Sequence, residues 1–304
     1  MTDIRRDPHL GTVVHFVETR QGRPNLPSSG CPFCPGGREA PDAYDVRWFP
    51  NRWPAMPDAR CEVLLYTPDH DANFGSLGLV RARRVVDLWA ERTAALGARD
   101  DVAYVLAFEN RGAEVGATIA HPHGQIYAFD HVPARPRALL EAKWQPDSEP
   151  GPRFVAEHGD WLAWVPVANH YPIALAVAPV TQAPDIAELD DRARDELSAL
   201  LVDVFARLDR LYDGPLPYMM WLNQRPTDGK EWPQAWFNVE IVSPWRASDV
   251  TRFIAAAEVA TGEYFNPVVP EVIAGQLRDL ASPGGASGPS ATGGCSGEGG
   301  PRPA

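Results

Sequence analysis

Apolar and polar positions along the chain lay out one order of elements twice. In the first half, "VRWFPNRWPAM" and "CEVLLYT" have the length and pattern of strands and loops. A helix is expected over 77–96, with Ser76 as its N-cap and Gly97 ending it. Two further strands, "VAYVLAFEN" and "HGQIYAF", follow. The second half repeats the order with "LAWVPVANHYP", "IALAVAP", a helix over 190–212, "YMMWLNQ" and "WFNVEIV". Leu197, Leu200, Leu201, Val204, Leu208 and Leu211 recur at helical spacing, which marks a core-facing stripe, and Gly214 lies just past the end. These patterns predict an α+β fold: a duplicated unit with antiparallel sheets and packed helices. The N-terminal half takes residues 1–150 and the C-terminal half 151–281. From 282 to 304 the chain is Gly/Ser/Pro-rich with almost no apolar side chains, so a disordered tail is expected there, with Cys295 an incidental thiol.

One strand carries unusual chemistry. In "TIAHPHGQIYAF", His121 and His123 stand two residues apart, and side chains two apart on a strand project from the same face. Two imidazoles side by side can share one task or divide two.

Composition narrows the setting. With 304 residues and 44% apolar content, the chain can bury a sizeable core. It has no apolar run of bilayer length, and "MTDIRRDPHL" lacks the apolar region of a signal peptide, so a cytoplasmic protein without a membrane segment is expected. Four cysteines are too few for a disulfide framework, and two of them form Cys31-Pro-Phe-Cys34, a metal or redox spacing. No second such pair exists, so a tetrahedral site would need two ligands from among eight histidines. His70 lies in "YTPDHDANF", at the turn after a strand, where a ligand is easily presented. A formal net charge of −12 argues against nucleic acid as a partner, though local arginines and backbone N–H groups can still hold a small anion.

The motifs "GCPFCPG", "FPNRWPAM", "YTPDHD", "FENRGAEVGATIAHPHGQIYAF" and "EVATGEYFNPVVPE" together resemble the galactose-1-phosphate uridylyltransferase family of the histidine-triad superfamily. The resemblance runs from Arg20 to Glu271. It implies two histidine-triad-like halves and a two-step exchange: UDP-glucose and galactose 1-phosphate give glucose 1-phosphate and UDP-galactose. Carried over residue by residue, it makes Cys31, Cys34, His70 and His121 the ligands of one structural zinc per chain. His123 becomes the nucleophile that attacks the α-phosphorus, a role that suits a neutral imidazole near pH 7. Gln125 stands where histidine-triad hydrolases usually have another histidine. Its amide can donate to a phosphoryl oxygen but cannot supply a proton to a leaving alkoxide. A sugar phosphate leaves without one.

The resemblance also implies substrate contacts. Arg20 and Arg23 match arginines near the nucleotide, and Asn51 matches a base- or ribose-binding asparagine, although Arg52 replaces the aspartate of some relatives. Asn110, Gly116 and Thr118 match positions lining the phosphates, where glycine permits close backbone approach and a hydroxyl can donate. Arg252, Phe253 and Glu258 match a segment that reaches the sugar phosphate across the interface of a homodimer. Some relatives hold a second metal, but the matching positions, Leu139, Asn223, Asn238 and Glu240, include one strong ligand, so no second metal is expected. The partners implied are a nucleotide sugar and a hexose 1-phosphate. Two alternatives stand beside the uridylyl exchange: a related ADP- or GDP-sugar nucleotidyltransferase or phosphorylase, and a non-catalytic nucleotide-sugar binding protein.

Overall fold

A computed structural model describes residues 3–22, 30–212 and 214–281. Arg23 and the Gly/Ser/Pro-rich tail from 282, Cys295 included, lie outside the described residues. The first two strands, β1 (Asp3–Arg6) and β2 (Val13–Phe16), pair with each other alone. The first half continues with β3 (Arg47–Pro50), β4 (Cys61–Leu65), α1 (Gly78–Gly97), β5 (Tyr104–Arg111), β6 (His123–Phe129) and α2 (Ala134–Glu141). The second half holds β7 (Phe154–His158), β8 (Trp161–Trp164), β9 (Ile173–Pro179), α3 (Asp191–Leu211), β10 (Tyr218–Asn223) and β11 (Asn238–Ser243). Short elements follow: β12 (Trp245–Ala247), β13 (Val250–Thr251), α4 (Ala256–Thr261) and α5 (Pro270–Asp279).

Nine strands form one antiparallel sheet in the order β3-β4-β6-β5-β10-β11-β9-β8-β7. The order mirrors itself about the β5–β10 seam, where Phe108 pairs with Trp221. The duplicated α+β unit therefore exists, and its two halves share one sheet. They also share one core. Leu64, Val86, Trp89 and Ile126 of the first half belong to the same buried cluster as Leu201, Phe205, Leu222 and Val239 of the second. Apolar side chains recurring every third or fourth residue of α1 and α3 bury both helices in it.

Two strands show how pattern sets environment. In β9 every residue of "IALAVAP" is buried, so its apolar run reflects cover on both faces. In β6 burial alternates: Gly124, Ile126 and Ala128 enter the core, while His123, Gln125, Tyr127 and Phe129 share the other face, only partly covered.

Helix boundaries follow local hydrogen bonds. Asp190 caps α3 by accepting from the Ala193 N–H at 2.8 Å. Ser76 does not cap α1. Its N–H donates to Asn73 Oδ1 and its Oγ accepts from the Asn73 N–H, closing a separate 3₁₀ turn over Phe74–Ser76. Gly75 in that turn lies against α3, where an added Cβ would come within 2.7 Å of the Ala206 nitrogen. No helix among the described residues is long and apolar enough to cross a membrane.

Candidate active site

The site is assembled at the start of β6. Cys31 and Cys34 lie on a tight knuckle whose carbonyls crowd Gly37: a Cβ there would meet the Cys31, Pro32 and Cys34 oxygens at 2.6–2.7 Å. Only glycine fits without moving the knuckle. His70 enters from the loop after β4, and His121 lies in the bend before β6, with Pro122 between them. Ligand atoms of Cys31, Cys34, His70 and His121 lie within 4.8 Å of one another. Cys34 Sγ is 3.5 Å from His70 Nδ1 and 3.6 Å from His121 Nδ1.

Hydrogen bonds prepare this quartet to hold a metal ion. His121 is fully buried, and its Nε2 lies 2.7 Å from the Thr67 carbonyl and 2.9 Å from the Tyr44 hydroxyl. A carbonyl only accepts, so Nε2 carries the proton and Nδ1 turns its lone pair to the thiols. Burial holds the imidazole below its ordinary value, partly opposed by the bond to Thr67. It is therefore neutral, as a ligand must be. Partial burial pushes the Cys34 thiol up, and the neighbouring Cys31 and Asp71 push it further. Two adjacent thiolates need a cation, and two thiols with two neutral imidazoles form the donor set of a closed tetrahedral site. Among the described residues no other group of three or more His, Cys, Asp or Glu is gathered in this way.

The His121 peptide also orients His123. His123 Nδ1 lies 2.8 Å from the His121 carbonyl oxygen and must donate to it. Nε2 then carries the ring's lone pair on the half-covered face. Phe33, from inside the Cys-x-x-Cys knuckle, packs against the His123 ring with centroids 5.0 Å apart. Below the strand, Tyr66 fills the space over Gly124, where a Cβ would fall 2.1 Å from the tyrosine oxygen. The strand is thus held from both sides.

Other expected positions gather on this face. Asn51 Nδ2 donates to Gln125 Oε1 at 3.3 Å, which leaves the glutamine NH₂ as the end available to a ligand oxygen. Arg20 Nη1 donates to the Tyr127 hydroxyl at 3.2 Å, on the face of β6 that carries His123 and Gln125. Asn110 and His123 line one small cleft together with Gly112 and Ile119. In the loop joining β5 to β6, Gly112 and Gly116 have φ of +96° and +82°, values that favour glycine. No heavy atom lies within 4 Å of the Cβ position of Gly116, so its backbone is open on that side. Thr118 follows in the same loop and is half-buried.

Three positions are placed elsewhere. Arg252 and Glu258 form a buried ion pair with each other. Arg252 also donates to the His170 carbonyl, and Glu258 accepts from the N–H groups of Ala255 and Phe265. These bonds fold the segment around α4, and within one chain both side chains are occupied by it. Phe253 between them is 79% exposed. Leu139 of α2 lines one small cavity together with Asn223 of β10 and Asn238 of β11. Glu240 accepts from Asn223 at 2.7 Å, and Arg135 donates to both its oxygens at 2.9 and 2.7 Å. The guanidinium supplies the positive charge at this carboxylate.

A duplicated antiparallel sheet with a His-Pro-His-Gly-Gln strand at its exposed face defines an α+β protein of the histidine-triad type. The chain belongs to the galactose-1-phosphate uridylyltransferase family: the model of its N-terminal domain matches residues 51–133, and that of its C-terminal domain matches residues 121–283. It is 34% identical over 313 residues to the galactose-1-phosphate uridylyltransferase of Thermotoga maritima, covering 92% of this chain and 98% of the relative. It is 36% identical over 249 residues to that of Streptomyces lividans, covering 74% and 70%. A solved structure described as a uridylyltransferase superposes with a TM-score of 0.84 at 28% identity, over 92% of this chain and 98% of the other.

The packing at Gly124 generates a test. Gly124→Ala should destabilise the chain by about 1–3 kcal/mol, because Tyr66 is buried and cannot swing away. Tyr66→Phe in the same chain removes the clashing oxygen and should recover part of the loss in urea unfolding. Equal stability of Gly124→Ala and wild type would show that the strand is not clamped here.

Proposed function

We propose that the chain exchanges a uridylyl group between UDP-glucose and galactose 1-phosphate, with His123 as the nucleophile. The observation that carries this reading is the bond from His123 Nδ1 to the His121 carbonyl, which selects the tautomer with a lone pair on Nε2. Nε2 attacks the α-phosphorus, the bond to the bridging oxygen breaks, and glucose 1-phosphate leaves with the electron pair. Nδ1 keeps its proton throughout, so the uridylylated ring is cationic. Galactose 1-phosphate then attacks the same phosphorus from the vacated site and regenerates neutral His123. The departing sugar phosphate is a weak base, so Gln125 needs only to donate its amide N–H to a phosphoryl oxygen. Asn110, Gly116 and Thr118 line the phosphates, while Asn51, Arg20 and Arg23 hold the nucleoside.

Cys31, Cys34, His70 and His121 would hold one zinc ion, the metal that two thiolates and two imidazoles suit. Its chemistry is structural: it supplies the charge the thiolates require and ties the knuckle to the head of β6. Reduced thiols accord with a cytoplasmic setting. A homodimer completes the sugar-phosphate site. Phe253, Val259 and Phe265, at 79%, 75% and 68% exposure, are large apolar side chains left open on the segment that Arg252 and Glu258 fold. That segment would meet the hexose phosphate of a second copy.

With UDP-glucose and no acceptor, wild-type protein should retain one UMP per chain, detected as a mass increase. Initial rates against either substrate, at fixed levels of the other, should give parallel lines. His123→Ala should lose the adduct and more than about a hundredfold in exchange rate while keeping its fold. Intersecting lines with no adduct would mean direct transfer in a ternary complex, and a label retained from ADP-glucose instead would assign a different nucleobase.

Cys34→Ser tests the metal reading separately. Purified wild-type protein should contain one zinc per chain, and the variant should lose both zinc and thermal stability. Full stability without metal would contradict a structural role for the quartet.

A further inference from the structure

Glu109 is a carboxylic acid that the mechanism above leaves unused. It is 4% exposed. Phe108 pairs with Gln125 across β5 and β6, so the antiparallel register sets Glu109 opposite Gly124, next to His123 and on the core side of the sheet. Its Oε1 accepts from the Tyr218 hydroxyl at 2.7 Å, and its buried Oε2 has no hydrogen-bond partner among the described residues. The Tyr66 hydroxyl comes near the same carboxyl without reaching hydrogen-bond geometry and is likewise unpartnered. The charged groups facing it are Arg111 of β5 and Asp209 of α3, which pair with each other at 2.6 Å.

Burying such a group lowers stability, and an apolar side chain could fill the space without that loss. The other half of the chain has one. β11 begins at Asn238 as β6 begins at His123, and the second residue of each strand faces a core residue of its neighbour. Gly124 faces Glu109, whereas Val239 faces Leu222, and both of these are fully buried and apolar. The carboxyl is confined to the half that holds the candidate nucleophile.

We propose that the Glu109 carboxylate is the buried counter-charge for the cationic uridylyl-imidazole formed on His123. This is a positioning role that rests on the reading of His123 as nucleophile. Before transfer the ring is neutral and the buried negative charge has no full partner. After transfer the ring is cationic, and attraction through a low-dielectric interior favours the adduct. Burial, opposed by Tyr218 and Arg111, pushes Glu109 up to about 7, so near neutral pH it divides between its two forms. The cation on His123 draws it to the ionised one.

The test is the equilibrium loading of UMP from UDP-glucose, in the presence of glucose 1-phosphate, for wild type and Glu109→Gln across pH. Titration of the sugar phosphate affects both proteins alike and cancels in the ratio of their loading constants. The ratio should be near one at about pH 5.5 and rise to about tenfold at about pH 8.5. Tyr218→Phe removes a bond that favours the carboxylate, so the wild-type rise should move to higher pH. If Glu109→Gln does not fold, the ratio of wild-type to Tyr218→Phe loading decides: it should exceed one near neutral pH and fall back toward one at both ends of the range. A ratio flat with pH, or a rise unmoved by Tyr218→Phe, overturns the proposal while the adduct stands. A wild-type chain that takes up no UMP overturns the nucleophile itself.

Discussion

The peptide at His121 is the constraint on which the site depends. Its imidazole donates from Nε2 to Thr67, leaving Nδ1 for the Cys31, Cys34 and His70 cluster, and its carbonyl accepts from His123. One residue therefore links a ligand cluster to the orientation and tautomer of the next imidazole. In the proposed mechanism His121 and His123 divide two tasks. The orientation of His123 comes from the bend at His121, whose carbonyl faces the His123 ring just before β6 begins, and it needs that strand held still. Phe33 above and Tyr66 below hold it, and Gly124 is small enough to let Tyr66 approach.

Duplication explains the frame around this strand. Both halves contribute to one sheet and one core, so neither α1 nor α3 buries its apolar stripe on its own half alone. Function has diverged where burial allowed it. Where β6 presents His123 and Gln125, β11 presents Asn238 and Glu240, the latter bound by Arg135. Where β5 buries Glu109 behind its strand, β10 buries Leu222. The symmetric positions carry different chemistry on a common backbone.

What was legible in the sequence follows from how local each signal is. The strand from His123 onward, the α3 stripe and the repeated order of elements depend on short-range periodicity, and all are present; His121, expected on that strand, lies in a bend before β6 begins, where Pro122 offers no N–H to a ladder. The quartet of ligands spans ninety residues of chain, and spacing alone left its histidines open; family resemblance selected His70 and His121, and the fold brings them to the cysteines. Ser76, expected to cap α1, closes the preceding turn instead, because a hydroxyl before an apolar run can close either of two adjacent turns, and Asn73 decides between them. Helices α2, α4 and α5 are too short for a periodic signature. Phe33, Gly37, Tyr66 and Glu109 acquire their roles only through contacts far apart in sequence. A partial signal existed for two of them, since Phe33 lies inside the Cys-x-x-Cys pair and Glu109 stands beside Asn110 in "FENRG".

The tautomer of His123 is the point at which cluster, strand and chemistry meet, and nitrogen NMR reads it directly. In protein labelled with ¹⁵N-histidine, the His123 resonances are identified by their loss in His123→Asn. Bonding to the His121 carbonyl predicts a protonated Nδ1 and a pyridine-type Nε2 at neutral pH. Protonation at Nε2 instead, with a bare Nδ1, would contradict the orientation on which the whole assignment of roles rests.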